Sequence, residues 1–180
     1  LDREMSIPVE QHLRGRGIDL HLSTGAAAFS EDAKGRLRVE LSTGAFLNAD
    51  LVILSAGVRP NVSLAREAGL QLGERGGIRV DAGMRTSDPS IWAAGDSVET
   101  AHTVLPGAGI TALAGPANRE ARVAAENICG RTTRYESTQG TSIVKIFDMV
   151  AGGTGATERQ LLADGIAHRA VHIHPSGHAG

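Results

Sequence analysis

The stretch Thr86-Ser87-Asp88-Pro89-Ser90-Ile91-Trp92-Ala93-Ala94-Gly95-Asp96 decides the fold. Its first half is turn chemistry, with Pro89 fixing a bend, and Ile91 to Ala94 is an apolar run of the length of a buried strand. Gly95 and Asp96 end that run. In open α/β sheets ligands gather at the carboxyl ends of strands, and a glycine just before an acid lets a ligand approach the backbone closely. Gly95 and Asp96 are therefore placed to meet a hydroxyl-rich ligand, unless Asp96 is simply a turn or capping acid.

Upstream, Leu51-Val52-Ile53-Leu54 is a continuous branched run, the pattern of a strand buried on both faces, and Ala56-Gly57 ends it. Downstream, Ala112 to Ile128 carries Ala, Val and Ile at helical spacing with Arg and Glu opposite, and Cys129-Gly130 stops it. Two strand ends and one helix start thus fall close together in sequence, which suits one convergent site. The remaining pattern predicts a helix over Ile7 to Arg14, then a β-meander from Ile18 to Leu22, Ala26 to Phe29 and Leu37 to Leu41. A short helix over Ser63 to Ala68 closes at Gly69, and a β region covers Ile78 to Val80. Arg131 to Gln139 is polar and linker-like. Beyond it lie a strand at Ile143 to Phe147, a helix at Thr157 to Ala163 and a strand at Ala170 to Ile173.

Composition narrows the function. Acids and bases nearly balance, at a net charge of −2, and are interspersed, so no basic stripe supports nucleic-acid binding. No apolar run approaches the ~20 residues of a membrane span, and no signal peptide pattern opens the chain, which fits a cytoplasmic protein. Cys129 is the single cysteine, so an internal disulfide and a cysteine metal cluster are both excluded. At a helix C-terminus the dipole raises a thiol pKa, and Cys129 is expected as small buried filler. The first residue is Leu1 and the last are His178-Ala179-Gly180, so both ends read as cut.

Two further patterns have plainer explanations. Gly107-Ala108-Gly109-Ile110-Thr111-Ala112 satisfies the dinucleotide pattern G-x-G-x-x-A, but Pro106 interrupts the approach and no good strand precedes it. A loop feeding a helix N-terminus is expected instead, with amides able to meet a phosphate or a ring carbonyl. His168, His172, His174 and His178 lack Cys or acidic partners in a metal-binding pattern and are expected as polar positions on a half-exposed strand.

At these residues a family resemblance emerges. Thr86 to Asp96 resembles the second flavin-binding motif of the FAD-dependent pyridine nucleotide-disulfide oxidoreductases, in which the terminal Asp hydrogen-bonds the ribityl chain of FAD. Leu51 to Asn61 is similar to that family's strand and glycine turn between the NAD and FAD domains, which implies Gly57 beside the nicotinamide cofactor. Ala112-Leu113-Ala114-Gly115-Pro116-Ala117-Asn118-Arg119-Glu120-Ala121-Arg122 resembles the helix start facing the flavin ring in one branch, the CoA-disulfide reductases, NADH oxidases and NADH peroxidases. Thr138 to Asp148 resembles the first strand of that branch's dimerisation domain, which implies Ile143 near bound NADH.

The resemblance implies an α/β fold: the C-terminal part of a two-dinucleotide-binding-domain flavoprotein plus the start of an α+β dimerisation domain. Residues 1–48 would be the tail of the NAD(P)-binding domain, 49–134 the second half of the FAD-binding domain, and 135–180 the start of the dimerisation domain. The implied cofactor contacts are Gly57, Gly95, Asp96, Ala112, Leu113, Ala114 and Ile143, and the implied cofactors are FAD and NAD(P)H. The implied parent passes hydride from NAD(P)H to FAD and then electrons, through a cysteine, to a disulfide such as CoA disulfide, to oxygen or to peroxide, working as a homodimer. The first flavin fingerprint, the redox cysteine after it and the NAD glycine motif are missing, Cys129 matches no catalytic position, and Ala121 stands where relatives tend to have Gly. The isolated chain is therefore expected to be inactive. A non-catalytic dimerisation or binding module of the same origin is the alternative, and a nucleotide-only binder using Gly107 to Ala112 a third.

Overall fold

Apolar residues alternating with polar ones over Leu37–Leu41 make a central strand, β2, which pairs antiparallel with β1 (Ala26–Glu31) and β3 (Phe46–Ala49) in the order β1-β2-β3. The computed structural model describes residues 1–173. Asp32 sets the first turn by accepting the amides of Lys34 and Arg36 at 2.8 and 2.9 Å, while Gly35 takes the left-handed conformation the turn needs. This sheet belongs to a compact unit of Glu10–Gly57, whose buried residues are Val39 and Leu41. A helix, α1 (Arg3–Gly15), carries Pro8 within it and precedes the sheet in the chain.

The second compact unit comprises Leu1–Val9 and the described part of Val58–Gly180. Here α2 (Ser63–Glu67) is followed by β4 (Ile78–Arg79), which pairs parallel with β5 (Val98–Ala101). A third short strand, β6 (Ala108–Gly109), pairs antiparallel with β5. The long helix α3 (Ala114–Ile128) buries Pro116, Glu120 and Ala124, a stripe with a four-residue repeat. Ala124 packs with Met84 and Tyr135, flanked by Val80, Trp92 and Val123, and this cluster is the core of the unit. A hairpin of β7 (Ser142–Ile146) and β8 (Met149–Gly153) turns through Phe147, at φ +55°. It leads to α4 (Glu158–Ala163), whose start is closed by a reciprocal Thr157 and Gln160 capping box.

Several expected elements differ. Leu51 to Leu54 forms no strand, and Leu51, Ile53 and Leu54 are 73, 80 and 73% exposed. Strands buried on both faces need partners on each edge and layers above and below, and among the described residues this segment has no ladder partner. Ile91 to Ala94 is no regular strand either, with Ile91, Trp92 and Ala93 half-buried and Ala94 exposed; it is tied down by a single bridge between Trp92 and Arg85 and by the Ala93 amide on Met84 O at 3.0 Å. Ile18 to Leu22 and Ala170 to Val171-His172-Ile173 are not strands either. For the former, both edges of β2 are already taken by β1 and β3. The elements β3, β5, β6 and β8 lie outside the expected set, the first three being only four, four and two residues long.

The polar segment Arg131 to Gln139 is no free linker, because Tyr135 is buried and Asn127 holds Thr133 by two hydrogen bonds of 2.9 and 3.0 Å. Cys129 caps α3 and is exposed, not buried, since the buried stripe of that helix ends at Ala124. His168 and His172 are not on a strand, and His174 and His178 lie outside the described residues.

Candidate functional site

The Gly95-Asp96 turn is held by its neighbours in two elements, α3 and β5. Gly95 adopts φ +94°, where a side chain would be strained, and a Cβ there would stand 3.9 Å from the Ala117 Cβ in the first turns of α3. Its amide donates to Glu120 Oε2 at 2.9 Å, and Thr100 Oγ1 on β5 donates to Glu120 Oε1 at 3.3 Å. Glu120 is only 2% exposed. Burial pushes its carboxyl above the usual glutamate range, the two hydrogen bonds pull the other way, and nearby Asp96 adds to the rise.

Asp96 itself is exposed and makes no hydrogen bond or ion pair with any described residue. The contrast with the other turn acids is informative. Asp32 accepts two backbone amides, Asp81 accepts those of Gly83 and Arg85, and Asp88 accepts that of Ser90. Those three perform the usual turn-forming task of Asp. Asp96 does not, so its carboxylate is available to a ligand.

A cleft of 920 Å³ opens in the same unit between the loop before α3, the β7–β8 hairpin and the first residues of the chain. Ala112 and Leu113 line it, as does Thr100. The helix starts at Ala114, two residues later than expected, because Leu113 is its extended N-cap. No side chain caps that end and no acid sits in its first turn, so backbone amides and the positive end of the helix dipole remain there for an acceptor. The G-x-G-x-x-A run is not a strand-turn-helix unit: Ala108–Gly109 inside it is β6, and the helix begins beyond it.

The other expected residues stand elsewhere. Ser142 and Val144 line the cleft, whereas Ile143 points to the opposite face of β7 and is 78% exposed. Gly95 and Asp96 do not line the cleft, although Glu120 ties their turn to Thr100, which does. Gly57 ends the Glu10–Gly57 unit at φ +86°, with open space where a Cβ would stand.

Two residues of this region escape sequence reasoning. Glu120 is legible only as an acid on an otherwise apolar four-residue stripe with Pro116 and Ala124. His102 lines the cleft and accepts the Val104 and Leu105 amides on Nδ1, both at 3.1 Å, which leaves its ring proton on Nε2.

A family model described as pyridine nucleotide-disulphide oxidoreductase matches residues 1–121, about two thirds of the chain. The chain belongs to this family. A protein of Pyrococcus furiosus named NAD(P)H sulfur oxidoreductase (CoA-dependent) is 36% identical over 174 residues, covering 96% of this chain and 38% of that protein. An FAD-dependent pyridine nucleotide-disulphide oxidoreductase of Desulfovibrio vulgaris superposes with a TM-score of 0.83 at 36% identity, over 91% of this chain and 41% of that one. The water-forming NADH oxidase of Lactobacillus brevis, bound to NADH, superposes with a TM-score of 0.85 at 29% identity, over 92% of this chain and 36% of that one. The α/β class of FAD/NAD(P)-binding flavoproteins expected from the sequence is therefore the fold of this family member, and the chain spans little more than a third of the length of such relatives.

Proposed function

We propose that this chain forms the ribityl and ring side of an FAD pocket within a longer NAD(P)H-dependent oxidoreductase. The observation that carries this reading is the carboxylate of Asp96, an exposed acid on a positive-φ glycine turn with no hydrogen-bond or ion-pair partner among the described residues. Such a group accepts hydroxyl protons, as the polyol chain of a flavin offers. Ala112, Leu113 and Ala114 lead into an uncapped helix end, whose amides and dipole suit a ring carbonyl that gains negative charge. Gly57, open on its Cβ side, admits a flat nicotinamide ring close to the backbone, and Ile143 presents exposed apolar surface on β7.

Bound FAD would supply the hydride acceptance and electron delivery, while the residues of this chain bind it, orient it and exclude water. The final acceptor is a disulfide such as CoA disulfide, oxygen or peroxide; likeness to a CoA-dependent sulfur oxidoreductase supports the first and likeness to an NADH oxidase the second. Residues 1–48, 49–134 and 135–180 are then the NAD(P)-domain tail, the second half of the FAD domain and the start of the dimerisation domain of a cytoplasmic homodimer. The exposed apolar residues Ile143, Val144 and Val150 of the hairpin favour that dimer, and they equally favour a non-catalytic dimerisation module.

The two readings separate on flavin. The product of the whole reading frame that carries this chain, purified and reduced anaerobically with NAD(P)H, should bleach a bound-flavin absorbance band, while the isolated chain should bind FAD weakly and turn nothing over. A dimer free of flavin in the whole product supports the module and overturns the enzyme.

A further inference from the structure

The Gly95-Asp96 turn, β5 and α3 meet at one side chain, that of Glu120. Its two carboxylate oxygens are used on two different elements: Oε2 on the Gly95 amide at 2.9 Å and Oε1 on the Thr100 hydroxyl at 3.3 Å. We propose that Glu120 is the positioning residue of the flavin-binding turn, a clamp that fixes the carboxylate of Asp96 relative to the cleft-lining Thr100 and the start of α3. This rests on the reading of Asp96 as the ribityl acceptor.

Three observations support a clamp over simple filler. Apolar residues occupy the rest of the buried stripe, Pro116 and Ala124, so packing alone would be served by an alanine or leucine. A carboxylate removed from water is destabilised unless hydrogen bonds compensate it, and both bonds that do so come from elements outside the helix. The neighbouring acid on β5, Glu99, faces the other way and is occupied by the Arg75 and Gly77 amides at 2.8 and 2.9 Å. The charges acting on Glu120 are thus Asp96 on the turn, which disfavours its ionised form, and Arg119 on its own helix, which favours it.

The geometry also lets the clamp survive proton uptake. When Glu120 is ionised it accepts from both partners; when protonated on Oε1 it donates to Thr100 and still accepts the Gly95 amide on Oε2. The clamp therefore persists in both states, with the Gly95 bond stronger in the ionised one. A glutamine keeps the shape and one carbonyl acceptor, whereas an alanine releases both elements.

The test is amide hydrogen exchange and proton NMR of the 180-residue chain, without flavin, in an Asp96→Asn background so that the adjacent carboxylate does not titrate. In Glu120→Ala the Gly95 amide should exchange about tenfold faster, the loss of one hydrogen bond to a charged acceptor. The Ala124 amide in α3 should not change, and Glu120→Gln should restore Gly95 to near the wild-type rate. With Glu120 present, the Gly95 amide shift should titrate with a midpoint above the ordinary glutamate range; with Glu120→Gln it should be flat. Unchanged Gly95 exchange in Glu120→Ala overturns the clamp, as does a Gly95 shift that titrates alike in the parent and in Glu120→Gln. If Glu120→Ala does not fold, the comparison with Glu120→Gln decides alone. None of these measurements uses flavin, so a failed clamp is distinguishable from a failed flavin assignment, which Asp96→Ala tests separately.

Discussion

The Glu99 carboxylate on β5 accepts the Gly77 amide at 2.9 Å, and there is no room for a side chain at Gly77: a Cβ there would lie 2.9 Å from Glu99 Cγ and 3.2 Å from the Ser97 carbonyl. Gly73 is closer still, its Cβ position overlapping the carboxylate itself. The loop joining α2 to β4 is therefore wrapped on a buried acid. Gly77→Ala should destabilise the chain by about 1–3 kcal/mol, the usual cost of overpacking, seen as a lower urea midpoint at unchanged slope. A midpoint equal to wild type would contradict the wrapping.

Asn127 ties the end of α3 to two segments, donating to Gly83 O and Thr133 O at 3.0 and 2.9 Å and accepting the Thr133 amide at 3.0 Å. Asn127→Ala leaves three backbone groups without this partner beside the Met84-Ala124-Tyr135 core. We expect a loss of roughly 2 kcal/mol, measured by chemical denaturation, against a change under ~0.5 kcal/mol for the exposed Asn118→Ala.

His168 should titrate above the ordinary imidazole range, because its ring bonds Ile166 O at 2.9 Å and Glu158 Oε1 at 3.2 Å. The protonated form is the one the folded chain favours. The contribution of this group to stability is thus fully present below the unfolded imidazole pKa and disappears as pH rises through the higher folded value. Proton NMR of His168 in the wild type and in Glu158→Gln checks it: the midpoint should fall in the variant.

The branched run Leu51 to Leu54 is exposed although its sequence reads as a buried strand. Ile53→Lys should therefore change the stability of the isolated chain by less than ~0.5 kcal/mol, as surface substitutions do, while reducing its self-association in light scattering. A large loss of stability would mean that Ile53 is buried after all.

The same residues mark how far the sequence could be read. Helical spacing with a C-terminal Gly gave α3 and its end, and the alternation Leu37-Arg38-Val39-Glu40-Leu41 gave β2, because both patterns are local. Ile91 to Ala94 and Leu51 to Leu54 were legible as strand-forming but not as strands here, since a ladder needs partners on its edges and this chain spans little more than a third of its relatives' length. At the site, Gly95 and Asp96 stood out by their place after an apolar run. Glu120 did not, because its role depends on contacts 25 and 20 residues away in sequence, with Gly95 and Thr100.

Flavin affinity of the whole reading-frame product, compared between wild type and Asp96→Ala, bears most directly on the proposed pocket. Asp96 makes no hydrogen bond or ion pair with any described residue, so the substitution should leave the flavin-free melting temperature unchanged. It should weaken FAD binding roughly tenfold to a hundredfold, the loss of one charge-assisted hydrogen bond. Equal flavin affinity in the two proteins, or a wild-type product that takes up no flavin, would contradict the assignment of Asp96 and of the pocket around it.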